Sequence, residues 1–494
     1  MCATINAIMR KKYVGYLPAL LCLPLQAAAP LGLFEGHADV GAVLHAGSAE
    51  YNSSEGSYTA AGSGENMWFA ADAFQFVWKK VSGDVTLTAD ISFIGSGGNP
   101  HRKAVLMMRQ DLEADSAYAD VALHGEGLTS LQAREEKGAA THEVQSAMSA
   151  PRRLRIAKRG NYFYIWLSGK GEPLHMAGGS MRVPLRDPFY VGIGVCSHDK
   201  DAVEKAVFSN VDLTMGAAPA GRPQLYSTLE TVTVASTDAR VVYVAPERIA
   251  APNWTRDGAS LIFNRQGRLE RLRAAGGEPE RLDTGSAAGC DNNHGLSPDG
   301  DLLAFSAEDG IYTVPLAGGA PKQIIKGPGL HWHGWSPDGK TVVYSAQSGG
   351  RRDIYAVSAA GGQEMRLTRP GSLNDGPEFS PDGRYIYFHS DQSGSLQIWR
   401  MHPDGSAPEQ ITSGEFNNCF PHPSPDGQQL VFLSYPGDAP QVPRDDDVML
   451  RVMSLNDEKV KVLAKLVGGQ GTIDAPSWSP DSRRLAFVSY QWIQ

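Results

Sequence analysis

One tetrapeptide, repeated at a nearly fixed interval, constrains this 494-residue chain more than any other feature. Ser-Pro-Asp-Gly stands at 297–300, 336–339, 380–383 and 424–427, with degenerate copies Thr255-Arg256-Asp257-Gly258 and Ser479-Pro480-Asp481-Ser482. The first residues of these turns lie 42, 39, 44, 44 and 55 positions apart, the period of a propeller blade rather than of a helical solenoid. Ser, Pro, Asp and Gly in that order suit the four positions of a type I turn between antiparallel strands, with Pro presetting φ at the second and Gly relaxing the fourth. An alternating apolar run follows each turn, as in Thr341-Val342-Val343-Tyr344 and Tyr385-Ile386-Tyr387-Phe388. A second run, a glycine-rich turn and a short fourth strand come next, which makes four strands per unit. The last unit holds only two strands before Gln494, and the segments 228–235 and 239–244 can supply the others. The spacing therefore predicts a ring of six blades over 225–494, closed by pairing its two ends.

The phrases Gly334-Trp335-Ser336-Pro337-Asp338-Gly339, Pro377-Glu378-Phe379-Ser380-Pro381-Asp382-Gly383 and Ala475-Pro476-Ser477-Trp478-Ser479-Pro480-Asp481 resemble the WD40-like repeats of TolB-type six-bladed propellers. The resemblance covers about residues 225–494 and implies a fold rather than one function. Such propellers include periplasmic scaffold proteins, peptidase accessory domains and, in related seven-bladed forms, oligogalacturonate lyases.

The rest of the chain reads differently. Residues 1–29 combine Arg10-Lys11-Lys12, a short apolar stretch and Ala27-Ala28-Ala29, the three regions of a secretory signal. The expected mature protein is periplasmic or secreted, with no membrane span. With 45 Lys and Arg against 54 Asp and Glu, the formal charge is −9, and loss of the leader removes three cations more. That balance argues against nucleic acid and anionic membranes as partners. Cys196, Cys290 and Cys419 remain after the leader, without metal-type spacing, and read as buried thiols. Residues 31–215 alternate without the tetrapeptide, as in Tyr162-Phe163-Tyr164-Ile165-Trp166-Leu167, and predict a β-sandwich. The order of its features resembles concanavalin-like jelly rolls. The composition of 216–224 predicts a linker. The fold class is all-β: an N-terminal jelly-roll β-sandwich, then a six-bladed β-propeller.

Candidate chemistry comes from counting back from each turn serine. Three positions before it, Pro252, Pro377, Pro421 and Pro476 give the plain solution, and blades two and three carry His294 and His333 instead. Five positions before stand Asn292, His331, Asp375, Cys419 and Asp474, and His422 lies two before its own turn. A ring of His and Asp at one channel mouth supplies acid–base groups or metal ligands. His294, His333, His422 and Asp375 are the catalytic candidates. Glu247, Asn253, Asn293, Asn418, Gln470 and Asp474 are the substrate-binding ones, and His294, His331 and His333 could hold one divalent metal. Trp68, Trp78, Arg102, Arg109, Gln110, His124, Gln132 and Arg134 offer a sugar-recognition kit in the sandwich. Two functions stay open. One is an exported carbohydrate-active protein that binds a saccharide or cleaves it as a polysaccharide lyase or glycoside hydrolase. The other is a non-catalytic scaffold that receives a protein partner at the propeller face. Because Pro holds the position of His333 in four other blades, His333→Ala is expected to leave stability nearly unchanged.

Overall fold

A computed structural model describes residues 31–216, 222–287, 289–437 and 442–493. The expected leader and most of the expected linker lie outside these residues. Strands and turns make up the described chain, with no helix among them.

Each tetrapeptide folds as a side-chain clasp. The hydroxyl of its first residue donates to the Asp carboxylate, at 2.5 Å for Ser297–Asp299, 2.6 Å for Ser336–Asp338 and 2.7 Å for Ser380–Asp382. The same carboxylate accepts the backbone N–H two residues on, and the Ser hydroxyl accepts the N–H that opens the next strand. Gly339 and Gly383 take the left-handed backbone at φ 70° and 71°, which explains the fourth position. Short local bonds thus fix the register of the two strands on either side.

Five four-stranded antiparallel sheets follow one another from Ile249–Trp254 to Val460–Gly468. The third, with the strands Leu330–Trp335, Thr341–Ser348, Arg351–Ser358 and Met365–Arg366, shows the pattern. Apolar side chains pack between successive sheets, as where Trp332, Val342 and Tyr344 meet Ala304, Ile311 and Ile325. The expected sixth blade is not a separate four-stranded sheet. Its strands Gln224–Thr233, Ala239–Ala245 and Arg484–Ile493 do pair with one another, the first between the other two. They form one end of a ten-stranded sheet that runs into the N-terminal region, where His142–Gln145 pairs in parallel with Ala239–Ala245. An edge strand with unpaired N–H and C=O groups takes up a second edge, so the expected closing strands also abut the N-terminal sheets.

In the N-terminal region two antiparallel sheets face each other. One orders Gly36–Val40, Phe74–Val81, Phe189–Cys196, Lys103–Arg109, Tyr118–His124, Thr129–Arg134 and His142–Gln145. The other is built around Arg153–Arg159, Val85–Phe93 and Asp199–Met215. Leu106, Met108, Val121 and Ile193 of the first pack with Leu87, Ile91, Ile156 and Phe208 of the second in one core. Cys196, Cys290 and Cys419 are buried free thiols, as read from the sequence.

Leu229, fully buried in Gln224–Thr233, pairs with Val488 of the last strand. Leu229→Ala is expected to cost about 2–5 kcal/mol. In a denaturation double-mutant cycle, Leu229→Ala and Val488→Ala should couple by about 0.5 kcal/mol or more, whereas simple additivity would mean that these strands do not close on each other.

Candidate functional site

The innermost strand of each blade lines the channel and ends at a clasp, and its bulges decide which side chains meet. In blades one, four and five the register shifts between Ala250 and Asn253, Asp375 and Glu378, and Cys419 and His422. Within each shift one residue takes a left-handed backbone, Ala251 at φ 57°, Gly376 at 64° and Phe420 at 53°, and Pro252, Pro377 or Pro421 follows it. Blade three bulges at His333 without such a residue, and in blade two His294 pairs in register with Phe305. An extra residue moves every side chain beyond it to the other face, so equal counts from the turn do not reach equal places.

That correction divides the expected ring. Away from the clasps, His331, His333 and Asp375 share one network. Arg352 Nη2 donates to His331 Nε2 at 2.8 Å, and His331 Nδ1 lies 3.0 Å from Asp291. A guanidinium only donates, so His331 Nε2 is the acceptor in that contact. Asn293 reaches the same ring at 2.9 Å. His333 Nε2 lies 3.0 Å from Asp375, whose other oxygen is 3.8 Å from Arg352 Nε. Burial alone would raise the Asp375 carboxyl, but the hydrogen bond and charge of His333, with His389 and Arg352 nearby, hold it well below the usual range. Asp474 lies beside this network and bonds Asn292 at 3.1 Å and the Gly471 N–H at 2.9 Å. Burial pushes its carboxyl up to about 6 despite these donors.

His294 and His422 lie outside the network. His294 is fully buried against the Ile262 and Asn292 backbone, and burial lowers its pKa to about 4 despite these groups. His422 is held between Glu378 and the Ile473 carbonyl, each at 2.5 Å. Among the described residues no three His, Cys, Asp or Glu side chains are arranged to hold a metal ion. The proposed ligands His294, His331 and His333 therefore do not meet, and the His331 Nε2 lone pair is already taken by Arg352. Asn418 is a structural residue, bonded to Gln397 and Ser434. Glu247 pairs with Gln266 and Arg265, and Gln470 is exposed. In the N-terminal sheets Arg109 and Arg134 are fully buried and pair with Asp72, at 3.4 and 2.7 Å, so they build structure rather than a sugar platform.

At the clasp end the channel opens into a cavity of about 330 Å³ that receives residues from every turn. Pro298, Pro337, Pro381, Pro425 and Pro480 form its rim, and Trp254, Trp332, Trp335 and Trp478 stand in its wall. Arg256 and Glu378 are its charged residues, with Asn253 beside them. Trp332 lies over Gly295 of the preceding blade, where any Cβ would come within 2.3 Å of the indole. The indole N–H groups of Trp254 and Trp332 and the Asn253 carbonyl oxygen have no partner among the described residues. Sequence reasoning missed Arg256, Glu378 and Arg352. Arg256 stands where other turns have Pro, and Glu378 shares with His422 the position two before the turn, so both carried a signal. Arg352 lies in an unmarked strand and carried none.

A family model described as the TolB beta propeller domain matches residues 310–455. An uncharacterized protein of Agrobacterium fabrum is 43% identical over 288 residues, which are 57% of this chain and 98% of that protein. This chain belongs to the TolB-like propeller family. The solved structure of a putative TolB from Agrobacterium tumefaciens is 43% identical, with a TM-score of 0.53 over 55% of this chain and all of that one. An oligogalacturonate lyase in complex with manganese is 14% identical with a TM-score of 0.33, over 51% of this chain and 75% of that one. At that distance the likeness says nothing of the chemistry of this TolB-like chain. No helix among the described residues is long and apolar enough to cross a membrane.

Two outcomes follow from the network. His333→Ala removes one partner of the part-buried Asp375 carboxylate, which keeps the Gly376 N–H, and should cost about 1–3 kcal/mol in chemical denaturation, not the near-zero change expected from the sequence. Asp474 has a folded pKa above its unfolded value of about 3.9, so its contribution is fully present below about pH 4 and is lost as pH rises through about 6. Asp474→Asn should therefore gain about 2 kcal/mol over wild type at pH 8 relative to pH 4, read from denaturation curves at the two pH values.

Proposed function

We propose that this chain is an exported TolB-like scaffold whose clasp-end cavity receives an extended segment of a protein partner. The observation that carries this reading is the cavity wall. Prolines from five turns make a rigid apolar rim backed by indole rings, while the exposed Arg256 guanidinium offers a cation to a carboxylate or to backbone carbonyls. Glu378, oriented by His422, answers a cation on the same segment.

We read the stretch 472–478, with Arg484–Ile493, Gln224–Thr233 and Ala239–Ala245, as a sixth blade. Its inner stretch bonds the next strand through Ala486 N–H to the Ser477 carbonyl and Val488 N–H to the Thr472 carbonyl. The two N-terminal sheets are in our reading a concanavalin-like jelly roll over 31–215, and the division into a 1–29 signal, a 216–224 linker and a 225–494 propeller belongs to the same reading. A second function, saccharide binding, is favoured by one feature: tryptophan walls beside Glu378 also suit a sugar ring.

One experiment separates the two. A photo-crosslinking amino acid placed at Pro337 or Pro381 in the cells that make the protein should give a covalent adduct with one protein, lost in Arg256→Ala. Absence of protein adducts at both positions, with retention of a neutral or uronic-acid glycan by the purified chain, would replace the scaffold by the saccharide reading.

A further inference from the structure

A second cavity lies far from the channel chemistry, at the seam where the N-terminal sheet continues into the closing strands. Its volume is about 360 Å³, within the range of about 300–1,000 Å³ usual for small-molecule sites. Both sides contribute to its apolar wall, Val144 from the N-terminal sheet and Leu466 and Phe487 from the propeller. Three carboxylate residues line it, Glu135, Glu143 and Glu230, and Glu143, next to Val144 in its strand, turns its side chain to the other face of the sheet. Glu230 is only 3% exposed and Glu143 only 9%.

The charges around this cavity are unequally satisfied. Arg182 and Lys465 both pair with Glu135, at 3.4 and 2.7 Å, and Lys461 donates to the Val234 and Ala235 carbonyls. His142, also in the wall, bonds Thr237. Glu230 by contrast receives the Ser489 hydroxyl at 2.5 Å, and Glu143 receives the Gln145 amide at 2.6 Å. Neither carboxylate makes an ion pair among the described residues. A buried carboxylate without a counter-ion is stabilised by a cation, and an apolar wall selects one with an apolar body. Burial pushes the Glu230 carboxyl up to about 7, the Ser489 hydroxyl opposing it, so an arriving cation would displace its proton near neutrality.

We propose that this seam cavity is a binding site for a small amphipathic ammonium ion, with Glu230 as the counter-ion and Val144, Leu466 and Phe487 around the apolar body. The site is separate from the channel, so its failure leaves the scaffold reading untouched.

Titration calorimetry of the full chain with phenethylammonium and hexylammonium tests it, with 2-phenylethanol as the uncharged counterpart. Saturable binding of at least one ammonium ion is expected at pH 8, at least tenfold tighter than the alcohol. It should weaken roughly tenfold at pH 6, where Glu230 is mostly protonated, while His142, Glu135, Arg182, Lys461 and Lys465 keep their partners. Glu230→Gln, which preserves shape and the Ser489 bond, should lose at least tenfold in affinity with its melting temperature retained. Should that variant fail to fold, Leu466→Ala, which removes part of the apolar wall and keeps Glu230, should weaken hexylammonium binding at least fivefold, and unchanged affinity there overturns the proposal. No saturable binding of either ion to the folded protein, equal binding of the alcohol, or unchanged affinity in the folded glutamine variant overturns the proposal.

Discussion

Everything along the channel depends on the backbone pairing of Gln224–Thr233 with Arg484–Ile493, which runs from Gln224 opposite Ile493 to Thr233 opposite Arg484. A four-stranded sheet cannot bury both of its faces alone, and a row of such sheets leaves two open ends. Joining residues some 260 positions apart costs loop-closure entropy, which grows only slowly with length and is offset here by apolar packing. Leu229, Ala486, Val488 and Tyr490 share one core with Ile249, Leu261 and Phe263 of the first blade. The Asn253 amide then reaches the Pro476 carbonyl, and Asn292 reaches Asp474 across the same join.

Within that ring, the two channel ends solve different problems. Away from the clasps, charges are matched almost one to one, with Asp291 and Arg352 on His331 and Asp375 on His333. Such a network leaves few free lone pairs. At the clasps the wall is proline and indole, with Arg256 and Glu378 as its charged residues. A rigid apolar frame with two charged groups is the better place to look for a partner.

The N-terminal sheets are coupled to this ring and not merely tethered to it. Val144 joins the core that holds Val232, Ala239 and Phe487, and Tyr162 donates to Asp447 of the fifth blade at 2.5 Å. Arg182 and Lys465 converge from the two sides on Glu135. The continuous sheet and these pairs define the wall of the seam cavity, so a ligand there would touch both parts of the chain.

Much of this was legible in the residues. The Ser-Pro-Asp-Gly interval determined the strands, their turns and the propeller, because each clasp is made by neighbours in sequence and needs no tertiary support. Alternation determined the all-β character of residues 31–215, and three cysteines without metal-type spacing pointed to buried thiols. The grouping of the histidines was not legible. Counting back from the turn assumes equal strands, and the bulges at Gly376-Pro377, Phe420-Pro421 and His333, absent from the in-register pair at His294, shift the facing of side chains by one. Arg352, which occupies the His331 lone pair, comes from a neighbouring strand with no motif to mark it. Only the folded ring decided which of these groups meet, since strand pairing sets a side chain's face and sequence spacing alone does not.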